Sequence, residues 1–179
     1  KWASQVVELL KNSGLKLNLA LDVRREKPAE YQIAVPQVDF AGSLEEALGY
    51  GPFDVALFAL KSYDTAAAIE TMRPFATQLP PVLCLQNGVD NEPALVEAFG
   101  AEKVIAGTVT SAVGRRGVGD IILEKLRGVG VAGGHPLSER LVDALESANL
   151  NAWLFPRADD MKWSKMLTNL LANPTSAIL

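Results

Sequence analysis

The sequence predicts an α/β fold, in which helices cover a mostly parallel β-sheet. Short apolar segments that suit strands alternate with segments of helical period along most of the chain. Segment 54–60 is a continuous apolar run after its first residue, which is typical of a strand buried on both faces. Polar residues follow two of these apolar runs, as they do where parallel strands end at a ligand site.

The elements follow one another with few long connections. Ser43 with Glu46 three residues later has the spacing of a capping box, and it predicts a helix start. Gly14 and Gly100 are expected to close the helices that precede them. In chain order we predict helix 2–13, strands 15–21 and 32–40, helix 44–48, strand 54–60, helix 64–76, strand 81–85, helix 91–99, strand 104–110, a hairpin over 118–132, helix 138–149, strand 152–155 and helix 158–172.

Composition excludes several classes of protein. The chain has 179 residues, 49% of them apolar and 21% charged, which suits one globular domain or one domain with a piece of another. A net charge of -4 argues against a nucleic-acid partner, and no apolar run is long enough to cross a membrane. One cysteine and one histidine exclude a disulfide framework and a Cys/His zinc site, so we expect no metal. We expect Cys84 to be a buried strand thiol, His135 to be a loop residue, and the protein to be cytoplasmic.

Lys165, Asn169 and Asn173 lie four residues apart, twice, in the last predicted helix. Each step of four residues turns the side chain by only about 40° around the helix, so the three form one ladder. An ammonium beside two amides suits a small polar ligand with a carbonyl or a carboxylate. The ladder could equally be a solvated helix face. Asparagine is unfavourable inside helices, and Pro174 is expected to break or kink the helix beside Asn173; both observations favour a site.

Two predicted strand ends carry polar residues. Segment 61–64, Lys-Ser-Tyr-Asp, follows the first buried strand, and segment 86–88, Gln-Asn-Gly, follows the next one. Turn formation explains Asn87 and Gly88 as well as binding does. The two strand ends together favour a binding crevice at the carboxyl edge of the sheet.

Segment 128–133, Gly-Val-Gly-Val-Ala-Gly, matches the dinucleotide-binding pattern G-x-G-x-x-G, and Asp159 lies downstream. In that pattern a helix begins within the glycines, so that its amides face the pyrophosphate. Here three further residues intervene and the next helix is predicted to begin near Ser138. We therefore expect a glycine-rich turn and no phosphate site.

Four motifs together carry a family resemblance: FDVALFALKSYD at 53–64, LQNGVDNE at 85–92, VIAGTVT at 104–110 and WSKMLTNLLANPTSAI at 163–178. In this order and spacing they resemble ketopantoate reductase (2-dehydropantoate 2-reductase). The resemblance implies a Rossmann-type NADPH domain followed by an all-α domain that completes a site for a 2-keto acid. It places a partial Rossmann-type domain at 1–156 and the start of the helical domain at 157–179.

The same resemblance implies a role for each residue of the ladder. Lys165 is similar to the family's general acid, which would protonate the alkoxide formed by hydride transfer from nicotinamide. Asn169 and Asn173 are similar to the residues that bind the substrate. Asn87 would contact both the substrate and the cofactor.

Two further cofactor contacts follow from the resemblance. Lys61 is similar to the family's cofactor-contacting lysine, and Val113 falls near a backbone contact to the cofactor. The implied activity is reduction of ketopantoate to pantoate in pantothenate and coenzyme A synthesis. The alternatives are a reductase of another 2-keto acid and a nucleotide-binding relative without catalysis; a homodimer is a further candidate assembly.

The sequence also departs from the family pattern. The family's own G-x-G-x-x-G turn and the residue that selects the 2'-phosphate belong to a βαβ unit that this sequence does not contain. Most of the helical domain is missing as well. We therefore expect the 179-residue chain by itself to bind NADPH poorly and to be inactive.

Overall fold

A computed structural model of the chain describes residues 41–117 and 120–178. The helices are α1 (Leu44–Gly49), α2 (Thr65–Met72), α3 (Asn91–Phe99), α4 (Ser138–Ser147) and α5 (Ala158–Ile178). The strands are β1 (Ala56–Phe58), β2 (Val82–Cys84), β3 (Val104–Val109), β4 (Ala112–Gly117), β5 (Asp120–Lys125), β6 (Val129–Ala132) and β7 (Ala152–Phe155). The predicted helix 2–13 and strands 15–21 and 32–40 lie outside the described residues.

Among the described residues, five strands form the central sheet, in the order β1-β2-β3-β6-β7. Three of its neighbouring pairs are parallel, and only β3 and β6 run antiparallel to each other. Helices connect β1 to β2, β2 to β3 and β6 to β7, as crossover connections of a parallel sheet require. The predicted α/β fold with a mostly parallel sheet is therefore confirmed, and its architecture is Rossmann-like.

The predicted hairpin over 118–132 is wrong in its bounds and pairing. The hairpin is formed by β4 and β5, which make a separate two-stranded sheet. Strand β6 pairs instead with β3 on one edge and with β7 on the other. All four residues of β6 are buried, as expected of a strand that lies between two others in a sheet covered on both faces.

Helix α5 does not end near residue 172 as predicted. It continues through Pro174 to Ile178. Proline removes a single backbone donor, and the hydrogen bonds on either side can carry a helix past it, at a cost. Within the described residues no helix is both long enough and apolar enough to span a membrane.

Two helix ends behave as the sequence predicts. The Ser43 side chain accepts a hydrogen bond from the Glu46 amide at 3.1 Å, and the Glu46 carboxylate accepts one from the Gly42 amide at 2.7 Å. Gly100 closes α3 with a φ of 92°, a value that a residue with a Cβ adopts only under strain. The predicted helix 64–76 is α2 with a 3₁₀ turn at each end, Ser62–Asp64 before it and Arg73–Phe75 after it.

The first turns of α5 are held against the sheet by an apolar contact. Met161 is 2% exposed and packs with Ala106 of β3 and Ala132 of β6. This contact places the residues that follow Met161 over the neighbouring ends of the central strands. The fold therefore positions the beginning of the ladder helix through burial of one side chain.

Burial differs between two neighbouring strands of the sheet, as Leu57 and Leu83 show. The two leucines are direct partners on β1 and β2, yet Leu57 is 42% exposed and Leu83 only 1%. The sequence predicted that the first strand would be buried on both faces, and for Leu57 this is wrong. Leu83 packs in a core cluster with Ile105 and Val131, whereas Leu57 belongs to none of the core clusters that the described residues form.

We predict that Leu83→Ala lowers the free energy of unfolding by about 2–5 kcal/mol, because it leaves a cavity in a packed core. Leu57→Ala is the matched control: it makes the same chemical change one strand away, and we expect it to cost clearly less. Urea unfolding followed by circular dichroism measures both. Equal losses for the two variants would contradict the burial difference.

Candidate active site

Three parallel strands bring their carboxyl ends to one edge of the sheet. Because β1, β2 and β3 are neighbours in parallel register, the residues that follow them are neighbours too. The Gln86 side-chain amide, after β2, donates to the backbone oxygen of Leu60, after β1, at 2.8 Å. Ligands of open α/β sheets bind at this edge.

Lys165 of α5 joins the ends of two of these strands. Its Nζ donates to Asn87 Oδ1 at 2.8 Å and to the backbone oxygen of Val109 at 2.6 Å. Asn87 follows β2, and Val109 is the last residue of β3. The ladder helix and the ends of these two strands therefore meet at one ammonium group.

The hydrogen bonds of Lys165 define what the site can offer a ligand. An ammonium has three N–H donors, and the protein uses two of them here. An ammonium cannot accept, so the Asn87 amide must turn its oxygen toward Lys165 and its NH₂ group away. With the partners that the described residues supply, the site thus presents one remaining lysine N–H and an amide donor on the exposed Asn87.

The environment of Lys165 favours the neutral amine more than water does. Burial lowers the pKa of Lys165 below its usual value, and the positive charge of Lys162 lowers it further. A lysine with a lowered pKa gives up its proton more readily near neutral pH, which suits a general acid.

A buried hydrogen-bond network supports the turn that carries Asn87. Thr65 at the start of α2 is 6% exposed, and its hydroxyl lies 2.9 Å from Gln86 Nε2 and 3.1 Å from Asn91 Oδ1. Asn91 Nδ2 in turn donates to the backbone oxygen of Asn87 at 2.8 Å. Buried polar groups that satisfy one another in this way restrain the turn.

Sequence reasoning missed Lys162. This lysine is 6% exposed, its Nζ lies 2.5 Å from Glu92 Oε1, and it donates to the backbone oxygen of Gln86 at 2.8 Å. The signal that could have found it is its position: three residues before Lys165 and next to Met161, on the side of α5 that packs against the sheet. A lysine there must be paired if it is buried.

Four further site residues were predicted from the sequence. Lys61 is exposed and immediately precedes the Ser62–Asp64 turn, beyond the end of β1. Val113 belongs to β4 and is 43% exposed. Asn169 is exposed one helical turn after Lys165, and Asn173 lies on the same helix, with its side chain outside the described set. Their roles stay predictions.

The residues that we set aside have structural positions. The glycine-rich turn expected at 128–133 is wrong, because Val129–Ala132 form β6. Helix α4 begins only at Ser138, so no helix starts within the glycine pattern. His135 bridges the Glu102 carbonyl, 3.0 Å from Nε2, and the Leu137 amide, which donates to Nδ1 at 3.1 Å. Cys84 is fully buried, and burial raises the pKa of its thiol to about 12, so it is no nucleophile.

Fold and site together define a Rossmann-type α/β protein. A lysine lies at the carboxyl ends of β1, β2 and β3, which we call the ligand edge of the sheet. The profile of the family described as ketopantoate reductase PanE/ApbA matches residues 2–133 of the chain. The chain belongs to this family.

Individual relatives agree with the family. A 2-dehydropantoate 2-reductase of Pyrococcus abyssi (strain GE5 / Orsay) is 29% identical over 131 residues, which are 70% of this chain and 42% of that protein. The crystal structure of the 2-dehydropantoate 2-reductase of Geobacter metallireducens GS-15 is 26% identical with a TM-score of 0.70, covering 92% of this chain and 58% of its own. The chain thus spans about half the length of the relatives that it matches.

A further solved structure shares the fold at lower identity. It is the ternary structure of D-mandelate dehydrogenase with NADH and anilino(oxo)acetate, 18% identical with a TM-score of 0.69, covering 93% of this chain and 57% of its own. At this identity the similarity shows the fold alone.

We predict that the Lys165 amine loses its proton at a lower pH in the folded chain than in the urea-unfolded chain, since burial and Lys162 both disfavour its charge. Brief acylation across a pH series, followed by mass spectrometry of the Lys165 peptide, measures this titration. The unfolded chain is the internal control. Coincident titrations in the two states would contradict the assigned environment.

Proposed function

We propose that the polypeptide containing this chain is a nicotinamide-dependent reductase of a 2-keto acid, with 2-dehydropantoate as substrate and NADPH as cofactor, acting in pantothenate and coenzyme A synthesis. One observation carries the proposal: Lys165 Nζ is held between Asn87 Oδ1 and the Val109 oxygen at the ligand edge, with one N–H left to donate. Family membership and the relatives named above support the same reaction class.

The residues at the edge fit the reacting end of a nicotinamide dinucleotide. The cofactor would supply a hydride. Asn87 offers an amide donor there, and the exposed Lys61 offers a positive charge that suits a phosphate. Val113 lies on the β4–β5 hairpin, which begins three residues after Val109. The glycine pattern at 128–133 does not suit the pyrophosphate, because α4 begins only at Ser138.

Lys165 would act on the keto oxygen of the substrate. Its third N–H would donate to that oxygen and stabilise the negative charge that develops during reduction. The ammonium would then give its proton to the alkoxide, leaving a neutral amine whose formation the lowered pKa favours. Asn169 and Asn173, one and two turns further along α5, would orient the substrate carboxylate and hydroxyl groups.

A second candidate is the reduction of a different 2-keto acid. D-mandelate dehydrogenase, which shares the fold and was solved with NADH and anilino(oxo)acetate, supplies the alternative pair to test: an aromatic 2-keto acid with NADH. Both candidates use the same lysine chemistry at the same edge. They differ in the pocket that surrounds the substrate's side chain.

The decisive assay follows cofactor oxidation with ketopantoate and with phenylglyoxylate, each with NADPH and with NADH. It is run on the 179-residue chain and on the longest natural polypeptide that contains it. We expect the longer polypeptide to prefer ketopantoate with NADPH, and the 179-residue chain to show no turnover. Preference for phenylglyoxylate with NADH would establish the second candidate, and no turnover with any pair would favour a nucleotide-binding protein without catalysis.

In the longer polypeptide, Lys165→Ala should lower kcat by about 10²–10⁴-fold, the usual loss when a positioned acid is removed. Binding of NADPH should be spared, because the substitution removes the acid and leaves the strand ends that face the cofactor. Steady-state kinetics and cofactor fluorescence measure the two effects. Lys125→Ala, an exposed lysine of β5, is the control. Unchanged kcat in Lys165→Ala would remove this lysine from the reaction.

A further inference from the structure

Lys162 and Glu92 form an ion pair that is almost completely withdrawn from water. The two side chains are 6% and 12% exposed, and Lys162 Nζ lies 2.5 Å from Glu92 Oε1. Removing two charges from water carries a desolvation cost that their attraction often fails to recover, so such a pair adds little net stability. A contribution to the stability of the fold therefore explains the presence of this ion pair poorly.

The contacts of Lys162 reach both ends of one short segment. Nζ donates to the backbone oxygen of Gln86, immediately before Asn87, and it pairs with Glu92 in the first turn of α3. Segment 86–92 therefore meets α5 through Lys162 on both sides of Asn87. Asn91 completes the restraint from within the segment by donating to the Asn87 oxygen at 2.8 Å.

Lys165 uses the same segment from the next turn of the helix. Residues three apart on a helix project about 60° from each other, so Lys162 and Lys165 point toward the same neighbour. Lys162 donates a hydrogen bond to the backbone oxygen of Gln86, and Lys165 donates one to the side-chain oxygen of Asn87. The hydrogen bond between Lys165 Nζ and Asn87 Oδ1 therefore depends on how the first half of α5 packs against segment 86–92.

We propose that Lys162 is the positioning residue of this site: by donating to the Gln86 oxygen and forming an ion pair with Glu92, it holds α5 where Lys165 Nζ reaches Asn87 Oδ1. Lys162 is too buried to touch a substrate, so it acts through Lys165. The inference rests on the proposed function for its catalytic consequence, although its structural part does not.

In the part of the chain that the structure describes, three titratable groups lie around Lys162. Glu92 faces it from α3, the neutral Cys84 thiol lies on the β2 side, and Lys165 follows on its own helix. Because Lys165 feels the Lys162 charge, replacing Lys162 by an uncharged residue should move the Lys165 titration to higher pH. If α5 moved away from segment 86–92, Lys165 would become more exposed, and this too would raise its pKa.

The test compares Lys162→Met, Lys162→Arg and the control Lys125→Met. In the chain itself, acylation of Lys165 across a pH series should shift to higher pH in Lys162→Met, and stay unchanged in Lys125→Met. In the longest natural polypeptide, kcat should fall about 10- to 100-fold in Lys162→Met, as expected when an acid is misplaced, with KM for the cofactor within about twofold. Lys162→Arg keeps the charge and should recover most of kcat.

Lys162→Met leaves Glu92 buried without a partner and could fail to fold. The double variant Lys162→Met/Glu92→Met removes both charges, a replacement that buried pairs often tolerate, while it still deletes the bond to Gln86. A folded double variant with reduced kcat and a shifted Lys165 titration supports the proposal. Full kcat together with an unshifted titration in either variant overturns it.

The two measurements also separate this proposal from the proposed function. If Lys165→Ala retains full turnover, the proposed acid is wrong, yet the acylation profile of Lys165 still reports whether Lys165 lies close enough to Lys162 to feel its charge. If the profile shifts but kcat does not, loss of the Lys162 charge accounts for the shift, and the positioning role in catalysis is overturned.

Discussion

Parallel pairing of β1, β2 and β3 is the constraint on which the rest of the site depends. Neighbouring parallel strands end at the same edge, so the residues after each strand must share that edge. Gln86 links the first two strand ends through the Leu60 oxygen, and Lys165 links the second and third through Asn87 and Val109. An antiparallel arrangement of the same segments would have put these groups at opposite ends of the sheet.

The ligand edge is rigid because its polar groups satisfy one another. Thr65, Gln86 and Asn91 are each at most 6% exposed and bond among themselves or to backbone oxygens. Leaving any of them without a partner would cost about 1–3 kcal/mol, so the turn has few alternative conformations. The lysines of α5 use the acceptors that remain at this edge.

Much of the fold could be predicted from the sequence because it depends on local signals. The capping residues at Ser43 and Glu46 act within one helical turn, and Gly100 ends a helix by its own backbone preference. The placement of β6 could not be predicted in this way. The apolar residues of β6 could pair with β5, the preceding strand, or with β3, which lies further back in the chain. Pairing with β3 leaves β6 between two strands of the central sheet, and the local sequence does not encode that choice.

The sequence by itself determined the alternation of strands and helices, the ladder spacing of Lys165, Asn169 and Asn173, and the polar residues at two strand ends. These features have fixed periods or follow from single residues. Only the tertiary structure decided that Lys165 meets Asn87 and that Lys162 is buried against Glu92. Both contacts join α5 to segments more than 60 residues earlier in the chain, and no local pattern encodes a distance of that kind.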